Sequence, residues 1–266
     1  MKLQMVGLLA VTAGFLFQNS APVQSSIQGN SANQVQQVES EKSPPSDVDW
    51  EIENWLNDGP GAIQRLVGLG VDQKTAEESV DSYPEDDLHI QWKTVNSESK
   101  EHLAALFLPC IGNDVAYLFA MQKANDAWQV TDREGFDCHY DATVSMEIAR
   151  IHDPNRDEVL IHHVGGGHGT GFVQQNYNVF SIAQGKLKIR LDTEEILDDH
   201  QPSQRIHDIV RRSTFTIIPI IHSRSRAIEE TRSSILNDHL MVQRRIFRWD
   251  PAKGCYSSTT FVTVEA

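Results

Sequence analysis

The densest run of chemically capable side chains is Ile151 to Gly171, IHDPNRDEVLIHHVGGGHGTG. Asp153, Asn155 and Asp157 carry oxygen at alternate positions, the D-x-N-x-D spacing of a calcium loop. Such oxygens converge on one hard cation when the backbone curls around it. Calcium is the one cofactor this spacing admits, and no other is expected. Two features weigh against it. Arg156 would set a positive charge beside the ion, and neither Arg156 nor Glu158 has the freedom of the glycines that tight loops favour. The expected role of these residues is an ordinary polar turn, closed by side-chain to backbone hydrogen bonds, ahead of a buried strand.

The same run holds four histidines, His152, His162, His163 and His168. In a strand, His162 and His163 point to opposite faces, so they do not share one metal simply. His168 is able to join either across the glycine loop. Gly165 to Gly171 gives no G-x-G-x-x-G frame and no Gly-Lys-Ser/Thr. A strand rather than a helix follows it, so no helix N-terminus is on hand for a phosphate. A wide or bulged glycine turn at the surface still lets a ligand approach the backbone closely. The candidate ligand-binding residues are therefore His162, His163, Gly166, Gly167 and His168. For catalysis, G-x-S-x-G and H-E-x-x-H are absent. Ser-x-x-Lys occurs only as Ser97-Glu98-Ser99-Lys100, in a polar turn without the companion motifs of its enzyme class. No catalytic residue is assigned.

Asp153-Pro154-Asn155-Arg156-Asp157 followed by VLIHHV resembles the loop-then-strand unit of FG-GAP and VCBS-type extracellular repeats. Their pattern is roughly D-x-N-G-D-G and then an apolar strand. The resemblance covers about residues 151–171 and departs at Arg156 and Glu158, which replace the family's glycines. It implies a calcium-binding β-propeller of repeated units, whereas this chain carries one such unit.

The elements that must position these residues change character along the chain. Asp49 to Tyr83 carries helical spacing: Trp50, Ile52 and Trp55, a break at Asn57 to Gly61, then Ile63, Leu66 and Val67. Asp72 is placed to cap a third helix through Ala76, Val80 and Tyr83, with Thr75 and Glu78 spaced as a capping box. The stretch LVGLGVDQKTAEESV resembles small helix-turn-helix modules; its expected role is a packing cap. From Leu88 onward short apolar runs alternate with tight turns. They are HIQWKTV, LAALFLP, VAYLFAM, AWQVT, Thr143 to Ile151, VLIHHV, NYNVFSI and LKIRL. FTIIPII follows, its Pro219 marking an edge strand. HLMVQRRIFRWD and CYSSTTFVTV then make a hairpin around Pro251 to Gly254. The expected fold is mainly β, an antiparallel meander of sandwich or propeller-like form with a small N-terminal helical cap.

The N-terminus reads as an export signal over residues 1–25. Lys2 gives a positive start, Leu8 to Phe17 an apolar stretch, and Val23-Gln24-Ser25 a cleavage site. That stretch is shorter than the ~20 residues of a membrane span. Residues 26–48 form a Ser/Gln/Asn/Pro-rich linker without aromatics before Trp50, unable to bury enough apolar surface to fold. A helical segment (49–84) and a β domain (85–266) follow. The net charge of −14 argues against nucleic-acid or anionic-lipid surfaces, although Arg205 to Arg248 holds nine arginines against four acids. Of the three cysteines, Cys110 and Cys138 form the expected disulfide, with Cys255 left over; three reduced cysteines are the alternative. There is no N-x-S/T sequon, which favours a non-glycosylating source. These features point to an exported, periplasmic or extracellular module that binds a protein or polymer partner without catalysis. The alternative is a secreted hydrolase whose acidic or His/Asp site assembles only in three dimensions.

Overall fold

The computed structural model describes residues 47–59, 61–81, 89–97, 101–111, 115–137, 143–166, 172–199, 211–236 and 239–264. Three short helices come first: α1 (Asp47–Asn57), α2 (Ala62–Gly68) and α3 (Gln73–Asp81). The expected export signal over residues 1–25 lies outside the described residues, as does the expected linker up to residue 46. Asp47 and Val48, read as linker, already belong to α1. No described helix is long and apolar enough to cross a membrane.

Thirteen strands follow among the described residues. β1 (Gln91–Val95), β2 (Leu103–Ile111), β3 (Val115–Ala124) and β4 (Ala127–Asp137) form sheet A. β5 (Thr143–Ala149), β6 (Glu158–Gly166), β7 (Phe172–Ala183) and β8 (Lys186–Asp199) form sheet B. β9 (Arg211–Pro219), β10 (Arg226–Leu236), β11 (His239–Asp250) and β12 (Cys255–Ser258) form sheet C, with β13 (Val262–Val264) also pairing β11. Every pairing is antiparallel, and none of the sheets closes into a barrel. The fold is mainly β with an N-terminal helical cap, as the sequence predicts.

Three cores hold the layers together. Leu56, Leu66 and Ala76 from the helices and Val71 from the turn between α2 and α3 pack on Trp92, Leu106, Leu108 and Phe119 of sheet A. The other face of sheet A, through Leu103, Ala105, Phe107 and Leu118, packs on Val159, Ile161, Phe180 and Ile182 of sheet B. The second face of sheet B then packs on sheet C through Leu160, Tyr177, Val179 and Leu191 against Ile228, Phe247 and Tyr256. The layer order explains why LAALFL in β2 is continuously apolar: both of its faces are buried, so alternation disappears. The tight turns follow their residues. Gln184 (φ 54) and Gly185 (φ 66) are both left-handed, as a two-residue hairpin turn requires.

Helix α1 lies against the free edge of β1. Asn57 Oδ1 accepts the Ile90 N–H at 2.9 Å, Glu53 Oε2 the Trp92 N–H at 3.1 Å, and Asp49 Oδ1 the Thr94 N–H at 3.0 Å. Four residues of helix rise about 6 Å and two residues of strand about 6.6 Å, so an i, i+4, i+8 row of acceptors matches alternate edge donors.

Two differences from the sequence reading stand out. Strand β10 was not foreseen, because RAIEETRSSIL lacks an apolar alternation; Glu230 and Ser234 are buried there in place of hydrophobes. CYSSTTFVTV is two short strands, β12 and β13, both on β11. Residues 112–114, read from Gly-Asn-Asp as the turn between LAALFLP and VAYLFAM, lie outside the described residues, as does Cys138 and with it the expected disulfide. Cys255 is a free thiol on β12.

Candidate functional site

Asp153, Asn155 and Asp157 lie in the loop between β5 and β6, and the structure directs them to different partners. Asp153 Oδ1 accepts the Asn155 N–H at 2.8 Å, and Arg156 N–H reaches Asp153 O at 3.3 Å, closing a turn. Asp157 Oδ2 accepts from both the N–H and Nδ2 of Asn96, while Oδ1 accepts from Arg150 Nε at 2.8 Å. Asn96 is the next outward donor of the β1 edge, so Asp157 continues the row begun by α1. No group of three or more His, Cys, Asp or Glu among the described residues is placed to share a metal ion.

His162 and His163 fall on opposite faces of β6. His163 is buried toward sheet A, whereas His162 faces sheet C and packs edge-on to Tyr177 and Phe215. Gly166 ends β6 opposite Val173. Gly167 and His168 lie outside the described residues. Of the described candidates, His162 and His163 thus face different interfaces, and Gly166 closes their strand.

The interface between sheets B and C holds two polar clusters. The first starts at His162. The Gln175 amide nitrogen lies 2.6 Å from His162 Nε2 and 2.8 Å from Ser213 O, so it donates to both. The imidazole therefore accepts at Nε2, which assigns its proton to Nδ1. Burial holds His162 below its ordinary titration range, partly offset by the charge of Glu147. Gln175 Oε1 accepts the Ser213 N–H at 3.2 Å, and Ser213 Oγ donates to Glu230 Oε1 at 2.9 Å. Glu230 is fully buried; Arg245 Nε meets Oε2 at 2.5 Å and Arg232 stands 3.4 Å from Oε1. Both guanidiniums lie over the Phe261 ring, at 4.0 and 4.5 Å.

The second cluster surrounds Glu158, also fully buried. Tyr256 Oη donates to Glu158 Oε2 at 2.6 Å. Burial, reinforced by the Glu158 charge and this hydrogen bond, pushes the Tyr256 phenol well above its usual range. His152 Nδ1 approaches Oε1 to 3.0 Å, off a hydrogen-bonding direction, while its ring stacks on Trp249 at 4.0 Å. Arg190 lies over the Trp249 ring and holds the β11–β12 turn through Gly254 O at 2.7 Å.

The first arrangement pairs the Glu230 charge with arginine, and the second joins sheets B and C through the Tyr256–Glu158 hydrogen bond. Ser213 Oγ faces a carboxylate already paired with arginine, and the imidazole of His162 is engaged by Gln175. Sequence reasoning missed Gln175, Ser213, Glu158, Glu230 and Tyr256. Their signal was parity: each shares the inward face of its strand with core hydrophobes. Comparison with known protein families, curated proteins and solved structures returns no match for this chain.

Proposed function

We propose that this chain is an exported, non-catalytic binding module, carried on a polar tether and docking a protein or polymer partner through the outside of its β stack. The carrying observation is the state of the two buried carboxylates. Glu158 and Glu230 are each engaged by donors of the chain itself, Tyr256 in one case and Ser213 and Arg245 in the other. A buried carboxylate that serves as acid or base must reach substrate, whereas Glu158 joins sheet B to sheet C through Tyr256 and Glu230 joins β9, β10 and β11 within sheet C. The signal-like start and the linker supply the exported setting. The FG-GAP and VCBS-type resemblance of residues 151–171 belongs with this reading, since those repeats are extracellular.

Fractionation of cells expressing the full chain, beside a form starting at Ser26, tests export: the first is recovered outside the cytoplasm and the second inside. Turnover tests the absence of catalysis. The purified chain is offered chromogenic esters, phosphate esters, glycosides and peptides. Hydrolysis that disappears in Glu158→Gln or Glu230→Gln, with folding retained, would replace this reading by that of a secreted hydrolase.

A further inference from the structure

Sheet C ends at β9, and the polar groups of that edge can be followed residue by residue. In an antiparallel ladder the N–H and C=O of one residue point to the same side, and the side alternates along the strand. Ser213 sets the parity, because both its N–H and its C=O go to the Gln175 side chain rather than to β10. Phe215, Ile217 and Pro219 share its sense. Gln175 therefore occupies the edge at Ser213, and Pro219 has no N–H to offer. Between these two stops, the backbone groups of Phe215 and Ile217 have no hydrogen-bond partner among the described residues. Natural sheets blunt their free edges against unwanted pairing. Here both ends are blunted, and among the described residues nothing pairs with the middle.

The edge runs into a hairpin tip that is held from behind. Ser225 Oγ donates to His152 O at 2.7 Å, and Arg226 N–H to Ile151 O at 2.6 Å. Ile221, on that tip, is 83% exposed. From Arg211 to Arg226 the sequence holds four arginines, Arg211, Arg212, Arg224 and Arg226, and no acid, in a chain of net charge −14.

We propose that the β9 edge is a strand-addition site for an extended, acidic segment of a partner protein. Its backbone pairs with Phe215 and Ile217, its carboxylates meet the arginine-bearing hairpin, and Ile221 supplies an apolar anchor. The charge pattern selects this occupant over a second copy of the chain. Two β9 edges paired about Thr216 would bring one arginine-rich arm against another, and like charges so placed oppose association. This inference rests on the binding-module reading and gives it a surface and a partner class.

The test uses the full purified chain, isotopically labelled, with the probe acetyl-(Glu-Val)3-amide. Without probe, the amides of Phe215 and Ile217 exchange with solvent faster than those of Thr214 and Thr216. Saturating probe slows the first two by about tenfold or more, as new backbone hydrogen bonds protect them. A probe N-methylated on alternate residues leaves them unchanged. Ile217→Pro abolishes binding while the β9–β10 ladder persists, because that N–H lies outside the ladder. Should Ile217→Pro fold poorly, Arg224→Glu, at an exposed position, serves instead and weakens binding by about fivefold. Equal binding of the N-methylated probe or of acetyl-(Lys-Val)3-amide, or no protection by the acidic probe, overturns the proposal. So does a dimer of the unliganded chain that Ile217→Pro dissolves. A substrate turned over through Glu158 or Glu230 would instead sink the parent reading, whatever the edge does.

Discussion

Asp157 accepts hydrogen bonds from both nitrogens of Asn96, at 2.8 Å from the backbone and 2.7 Å from the side chain. Its other oxygen takes Arg150. A cation at the D-x-N-x-D loop would have to displace all three donors and tolerate Arg156. Melting curves in excess calcium and in chelator are therefore expected to superimpose. A site saturated at a hundred times its dissociation constant would add about 2.7 kcal/mol, which is easily seen. Asp157→Ala should destabilise by about 3 kcal/mol in either buffer, since it strands a buried donor and an arginine together.

Asp49 does for Thr94 what Asp157 does for Asn96, from a helix instead of a loop. Its carboxylate takes the Thr94 N–H at 3.0 Å and the hydroxyl at 3.1 Å. Asp49→Ala is expected to cost about 1–3 kcal/mol in urea denaturation, because the edge donor is left unmet. Asn in the same place should recover part of that loss. Two equal variants would show that the carboxylate is not what matters.

His162 makes stability depend on pH. Burial lowers its titration below the ordinary 6.5, against the pull of Glu147. The native state therefore prefers the neutral ring, which the Gln175 donor also requires. This contribution is fully present above pH 6.5 and is lost as pH falls through the lowered native value. His162→Gln removes the titration, so the stability difference between wild type and variant should shrink on acidification below 6.5. Parallel curves from pH 8 to 5 would refute it.

Glu230 ties β9, β10 and β11 of sheet C together through Ser213, Arg232 and Arg245. Glu230→Ala leaves Arg245 and Arg232 without their buried counter-charge, and a loss of about 3–5 kcal/mol is expected. A double-mutant cycle with Ser213→Ala separates the hydroxyl contact from the ion pair. A coupling near zero would mean that Ser213 contributes through its backbone bonds to Gln175 alone.

Local pattern determined much of this fold. The capping residue Asp72, which takes the Thr75 N–H at 3.0 Å, was legible from its place before an apolar helical face. The edge position of β9 was legible from Pro219, and the β11–β12 hairpin from its turn. Those features depend on a few neighbouring residues and on backbone chemistry that does not change with context. Strand β10 was hidden because its inward positions after Ile228 are Glu230, Arg232 and Ser234, and a polar residue signals burial only once its partner is known. Those partners sit far along the chain: Ser213 is 17 residues from Glu230, and Tyr256 is 98 from Glu158. The row of acceptors on α1 was equally invisible, since Asp49, Glu53 and Asn57 read as an ordinary polar face. Only the packing of α1 along β1 turned that face into an edge cap. Spacing placed His162 and His163 on opposite faces, but the sheet stack alone decided that one meets sheet A and the other Gln175.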